Sequence, residues 1–316
     1  MRRVAAALLL ALGVAGAHAQ DYPTRAIRMV VPFPPGGGMD GIARPLAEKM
    51  AAILGQPVVL ENRSGASGNV GAEFAARSPA DGYTIMFAND FLATNPVMYK
   101  NIGFDSLRDF TPLARAATVK MLIAVPATSA ARDFKELAAL SKTKPLSFGT
   151  PGVGSVPHLV GELLNLEGAL RLLHVPYKGS GPAVADAVGG QIDVVLTTLP
   201  SLAPYVRSGK LRGMAVTSEK RSESLPEVPT LAEAGVPGIT ADIWYGLFAR
   251  AGTHEPILRK LRDAATQGLS QPDLIERLQK AGYEPAPSSP EAFTAQLRSD
   301  LERWRRVVAD AKIPRE

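Results

Sequence analysis

The chain has 316 residues, no cysteine, and 35 Lys and Arg against 30 Asp and Glu, a formal net charge of +5. Without cysteine there can be no disulfide, thiolate nucleophile, thiolate metal site or lipid-anchored cysteine. The mild positive balance is compatible with anionic ligands, but nucleic acid is not an expected partner: basic residues are dispersed, and the densest cluster (Arg303, Arg305, Arg306) lies on a patterned helix without interleaved aromatics.

The N-terminus carries Arg2 and Arg3, an apolar run from Val4 to Val14 and the small-x-small sequence Ala17-His18-Ala19. This is the pattern of a secretory signal peptide, predicted over 1–19 and placing the mature chain in the periplasm. Removing Arg2 and Arg3 takes the charge from +5 to +3. The remaining chain exceeds the size at which one core keeps growing, so two domains are expected.

From Ile27 onward, short apolar strands alternate with amphipathic helices, the signature of an α/β fold with mainly parallel sheets. "IRMVVPF" reads as a buried strand. The next helix sets Ile42, Leu46, Met50 and Ile53 on one face and is stopped by Gly55. "PVVLEN", "NVGAEFAAR" and "DGYTIMFAN" follow as strand, helix and strand. In the second half, Leu146 to Phe148 is a strand and roughly Pro157 to Leu166 a helix, "LLHVPYKGSGPAVADAVGG" repeats that plan, and "IDVVLTT" and "LRGMAVTS" add two strands. "TVKMLIAVPAT" and "ITADIWYGLFARAGT" are apolar stretches without central turn chemistry, suited to cross between two lobes. A last helix carries the stripe Phe293, Leu297, Leu301, Trp304 and Val308.

Two glycine-containing strand-to-helix loops carry the chemistry. In the first, Gly36-Gly37-Gly38 precede Met39 and Asp40; the loop lacks the Lys and hydroxyl of a phosphate loop and the phase of a dinucleotide fingerprint. It can still present backbone N–H groups and a helix start to an anion, with Asp40 expected as the N-cap. Pro45 sits awkwardly within this helix. In the second loop, "GTPGVGSVPH", Thr150 and Ser155 offer hydroxyls while Gly152 and Gly154 free the backbone. A nucleophile elbow G-x-S-x-G is absent and no third carboxylate orients His158, so ligand hydrogen bonding or packing is the favoured role of that histidine over catalysis. The histidine spacing holds no metal pattern. Lys178 and Gly179 in "VPYKGSGPAV", and Asn89 and Asp90 at the end of a strand, are further candidates for ligand contact. One ligand held by both halves is the expected arrangement.

These motifs together, "RMVVPFPPGGGMDGIAR", "GQPVVLENRSGASGNVGAEFAA", "ADGYTIMF", "GVGSVPHLVGELL", "HVPYKGSGPAVADAVGGQIDV", "GKLRGMAVTSEKRSESLPEVPTLAEAG" and "WYGLFARAGT", resemble in the same order the tripartite tricarboxylate transporter receptors, the Bug family of periplasmic solute-binding proteins. The resemblance implies a type II periplasmic-binding-protein fold, with two α/β lobes, a ligand cleft between them and two crossing strands. The expected division is 20–122 with 245–316 as a discontinuous first domain and 123–244 as the second. It also implies a carboxylate clamp formed by Phe33, Pro35, Gly36 and Gly37 on one side and Thr150, Gly154, Ser155 and His158 on the other.

The implied ligand is a small organic carboxylate, delivered by a monomer without cofactor or metal to membrane permease subunits. A periplasmic hydrolase using Ser155 and His158, or a ligand-sensing subunit of a signalling system, are the alternatives. Three positions depart from the family pattern: Met39 where a hydroxyl residue is usual, Asn89-Asp90-Phe91 in place of a smaller stretch, and Thr197-Thr198 where many members have Asp and Asn. The loss of an acidic group at Thr197 tilts the expectation away from amino acids.

Overall fold

The computed structural model describes residues 22–36 and 38–315, so the expected signal peptide and Gly37 lie outside the described residues. In chain order the elements of the first half are β1 (Ile27–Val31), α1 (Gly38–Leu54), β2 (Val58–Asn62), α2 (Asn69–Arg77), β3 (Thr84–Asn89), α3 (Phe91–Met98) and β4 (Phe110–Val119). Next come β5 (Met121–Pro126), α4 (Phe134–Thr143), β6 (Leu146–Thr150), α5 (Val156–Leu166), β7 (Leu172–Pro176), α6 (Ser180–Val188), β8 (Val194–Thr198), α7 (Leu199–Arg207) and β9 (Leu211–Val216). The chain ends with β10 (Ile243–Arg250), α8 (Glu255–Leu269), α9 (Pro272–Lys280), β11 (Glu284–Pro285) and α10 (Pro290–Asp310).

The strands form a six-stranded sheet, ordered β11-β4-β10-β3-β1-β2, and a five-stranded sheet, ordered β7-β6-β8-β5-β9. Each sheet is mixed, where the strand–helix alternation predicts mainly parallel pairing. In the first, β1 pairs parallel with β2 and β3, while β10 runs antiparallel to both β3 and β4. In the second, β6 is parallel to β7 and β8, while β5 is antiparallel to β8 and β9. The reversed strand in each sheet is the first to arrive from the other sheet, and it enters against the local direction. Crossovers within a sheet impose parallel pairing; a strand coming from outside is free of that rule.

Only Lys120 separates β4 from β5, so the chain passes directly from one sheet to the other there. The return runs from β9 to β10, and the two passages are tied together: the N–H of Thr217 donates to Met121 O at 3.1 Å and that of Ala241 to Thr217 O at 3.0 Å. The Thr217 hydroxyl adds a bond to Ala241 O at 2.6 Å. The two crossings therefore lie side by side.

Alternation along the strands divides the core. In β5, Met121, Ile123 and Val125 join one apolar cluster, which runs on through the first sheet, while Leu122 and Ala124 join a second cluster under α6 and α7. The predicted face of α1 is buried at Ile42, Leu46 and Met50, and Gly55 ends the helix with φ 68°. Ile53, at the helix end, is exposed. Pro45 lies inside α1 and is buried; the carbonyl it leaves without a helical donor is that of Gly41, an exposed residue that water can reach.

Helix α10 packs on β4, α3 and α5, and so bridges elements of both sheets. All five residues of its predicted stripe are buried. Phe293, fully buried, meets Trp244 edge-on at 5.0 Å and Phe248 at 5.1 Å. A Cβ on Gly246 of β10 would lie 2.4 Å from its ring, which fixes glycine there. Truncation of Phe293 to alanine should destabilise the fold by about 3–5 kcal/mol, measured by chemical denaturation, because the ring fills a space its neighbours cannot collapse into.

Candidate functional site

In each βα unit the helix begins where its strand ends, so helix N-termini gather at the carboxyl edge of the sheets. A cavity of about 750 Å³ opens there, and residues from both sheets line it. Helix starts meet at its wall: Asp90 and Phe91 of α3, Ser155, Val156 and Pro157 of α5, Lys178 just before α6, and Thr198 before α7. Ser67, in the 3-10 turn before α2, joins them. Each helix start carries partial positive charge and N–H groups without helical partners, so their convergence favours an anion.

Of the residues expected from sequence, Phe33, Asn89, Asp90, Gly152, Gly154, Ser155 and Lys178 line the cavity. Pro35, Gly36, Thr150, His158, Gly179 and Thr197 do not, and Gly37 is not described. The first loop explains its own exclusion. Helix α1 starts at Gly38, so Asp40 lies within its first turn and is not the N-cap. Its carboxylate accepts from the Gly36 N–H at 3.3 Å and from Arg44 at 3.0 Å, and Asn62 stands at 3.5 Å. Burial opposes its ionisation, but the bonds from Arg44, Gly36 and Asn62 outweigh that and hold its carboxyl below the usual carboxylate range. The anion at the Gly36 amide is thus the chain's own. Met39, the departure from the family pattern, is buried in the core. Among the described residues of this loop, only Phe33 reaches the cavity, set edge-on to Phe91 at 5.8 Å and held through its carbonyl by Asn62 at 2.9 Å.

The second loop is braced by the side chains that its sequence brings together. Ser155 is the N-cap of α5: its Oγ accepts from the His158 N–H at 3.4 Å and donates to Gly152 O at 2.7 Å. The Gly154 N–H donates to His158 Nδ1 at 3.1 Å, which places the imidazole proton on Nε2, the nitrogen 3.7 Å from Glu162. His158 stacks on His174 at 3.8 Å, and Thr150 bonds His174 Nε2 at 2.7 Å. Burial, reinforced by His174, pushes the His158 imidazole down to about 3; burial alone takes His174 to about 4. Both rings are neutral supports behind the loop. Gly154 has φ 73°, and a Cβ there would stand 2.9 Å from Met98 Cγ of α3, so glycine lets the two walls of the cavity meet.

Of the remaining wall, the motifs mark Tyr177, within "VPYKGSGPAV", but not the residues of α3. Thr94, Asn95 and Tyr99 come from α3 and its C-terminus, Tyr177 precedes Lys178, and Ile243 belongs to β10. At the end of β8 the cavity residue is Thr198; Thr197 points inside, fully buried, with its hydroxyl 2.7 Å from that of Ser180. Strand alternation alone separates these two neighbours. Lys178 is exposed at the cavity and, among the described residues, forms no ion pair.

The family described as "Tripartite tricarboxylate transporter family receptor" matches residues 42–313. A UPF0065 protein from the tcbD-tcbE intergenic region of Pseudomonas sp. (strain P51) is 37% identical over 318 residues, covering 99% of this chain and 95% of the relative. Among solved structures, an R. palustris protein with adipate is 34% identical with a TM-score of 0.80, covering 94% of this chain and 100% of that one. MatC from Rhodopseudomonas palustris with bound malate is 32% identical with a TM-score of 0.76, covering 91% and 100%. With its two mixed α/β sheets and the cleft between them, the chain belongs to the tripartite tricarboxylate transporter receptor family.

Proposed function

We propose that the chain captures a small organic carboxylate between its two lobes and delivers it, as a monomer in the periplasm, to the membrane subunits of a tripartite transporter. The observation that carries this reading is the convergence of helix starts from both sheets on one cavity, with Lys178 at its wall. Adipate and malate in the two solved relatives are consistent with it. Among the described residues no helix is long and apolar enough to cross a membrane, which fits a receptor that hands its cargo to other subunits. The lobes of the proposal are 20–122 with 245–316, and 123–244; the sheets themselves change at β5 (Met121–Pro126) and β10 (Ile243–Arg250), two residues before each of these bounds.

Each charge-assisted hydrogen bond to a carboxylate contributes about 1.5–3 kcal/mol, and ordering of ligand and lobes subtracts several. A net of about 8 kcal/mol corresponds to a dissociation constant of about 1 μM. Adipate or malate should therefore raise the melting temperature, since a ligand bound only to the native state at a hundredfold excess over its Kd adds about 2.7 kcal/mol. A melting curve moved by neutral sugars and by no carboxylate would refute the reading.

Binding rather than hydrolysis is supported by the arrangement of Ser155 and His158. The serine hydroxyl donates to a backbone carbonyl, and the imidazole nitrogen that could take its proton already accepts from Gly154. An imidazole held at about 3 is also a feeble base at neutral pH. Substitution Ser155→Ala should weaken carboxylate binding and remove about 0.5–2 kcal/mol of stability through loss of the helix cap. The recovered ligand should be chemically unchanged by mass spectrometry with either protein, whereas Ser155-dependent consumption would identify a hydrolase. In NMR titrations the His158 and His174 rings should stay neutral from pH 8 down to pH 5, because their folded pKa values lie below the ordinary histidine value of about 6.5.

A further inference from the structure

Among the described residues Asp90 is the one acidic side chain in the cavity wall, and its surroundings differ from those of an ordinary surface aspartate. It is 8% exposed, lies between the end of β3 and the start of α3, and its side chain makes no capping bond to the helix. Beside it, Phe33 and Phe91 form an apolar edge-on pair. Among the described residues it has no cationic partner.

The charged and titratable groups around it do not favour a negative charge. From α10 the nearest is Asp300, another carboxyl, whose own bonds come from Trp244 Nε1 at 2.9 Å, Gln296 at 3.1 Å and Arg303 at 2.6 Å. From β10 it faces the phenol of Tyr245, itself buried and pushed up by burial, then by Tyr283 and Asp90. Neighbouring Asn89 is neutral, Tyr99 lines the far end of α3, and Lys178 stands on the other lobe. Desolvation first, and Asp300 second, raise the Asp90 carboxyl to about 8. A carboxyl without a cation partner, out of water and near another carboxylate, keeps its proton.

We propose that Asp90 recognises the ligand as a neutral acid, donating its O–H to an oxygen of the bound carboxylate, and that the site thereby selects carboxylates that carry no ammonium group. This rests on the carboxylate reading above. A neutral Asp90 supplies a donor where an ionised one would repel the ligand. The same group cannot balance an ammonium, and Lys178 in the same cavity opposes a second cation.

Calorimetric titration of wild type, Asp90→Asn and Asp90→Ala with adipate and with glutamate, from pH 6 to pH 9, tests the assignment. Wild type should bind adipate at least tenfold more tightly than glutamate, with affinity level to pH 7 and falling toward tenfold per pH unit beyond about 8 as Asp90 loses its proton. Asp90→Asn keeps a neutral donor, so its affinity should stay within about threefold of wild type at pH 7 and remain level to pH 9. Asp90→Ala should lose about tenfold or more at pH 7. Wild-type adipate affinity that is flat to pH 9, or tight glutamate binding abolished by Asp90→Asn, overturns the role of Asp90 and leaves the carboxylate reading intact. Failure of wild type to bind these two acids or any other carboxylate overturns both.

Discussion

Everything at the site follows from one directional constraint. A parallel βα unit must start its helix at the carboxyl end of its strand, so the positive ends of successive helices collect along one edge of the sheet. When two such sheets are linked by adjacent crossings, their two edges face a common space. The convergent helix starts favour an anion before any charged side chain is counted, and Lys178, Ser155 and Asp90 line the same cavity.

Much of this was legible in the chain. The strand–helix alternation, the span "NVGAEFAAR" of α2, the buried stripe of α10 and the two apolar crossing stretches all follow from periodicity and turn chemistry. The antiparallel insertions of β5 and β10 did not, because pairing partners so far apart in the chain, Leu122 with Val216 and Tyr245 with Asn89, leave no local trace. Within the site, the second loop was readable because its glycines, hydroxyls and helix start are contiguous. The wall supplied by α3 was not: "FLATNPVM" is apolar nearly all round and holds Pro96, so nothing in its pattern marks the face that meets the ligand.

Residues chosen for their chemistry prove to be used in two ways. Some act on the cavity directly, while others hold those in place. Asp40 satisfies Gly36 and Arg44, His158 satisfies Gly154, and Thr150 satisfies His174. Polar side chains near a loop are a reliable sign of a built structure, but burial and partner decide whether their bonding capacity faces outward. Thr197 and Thr198 show how fine that division is, since identical neighbours differ only in the side of the strand from which they project.

The placement of β10 in the middle of the first sheet also governs the order in which the molecule can be completed. Residues 27–119 contribute β1 to β4, yet β3 and β4 do not pair with each other and are joined only through residues 243–250, which pair with both. The strands of the second sheet all come from residues 121–216, and Leu225, Val228 and Thr230 follow directly to complete its core and edge. The portion of chain written first is therefore closed last, through pairings of high sequence separation that form slowly. Such a polypeptide cannot complete its larger sheet until nearly the whole chain is available, however quickly its local elements form.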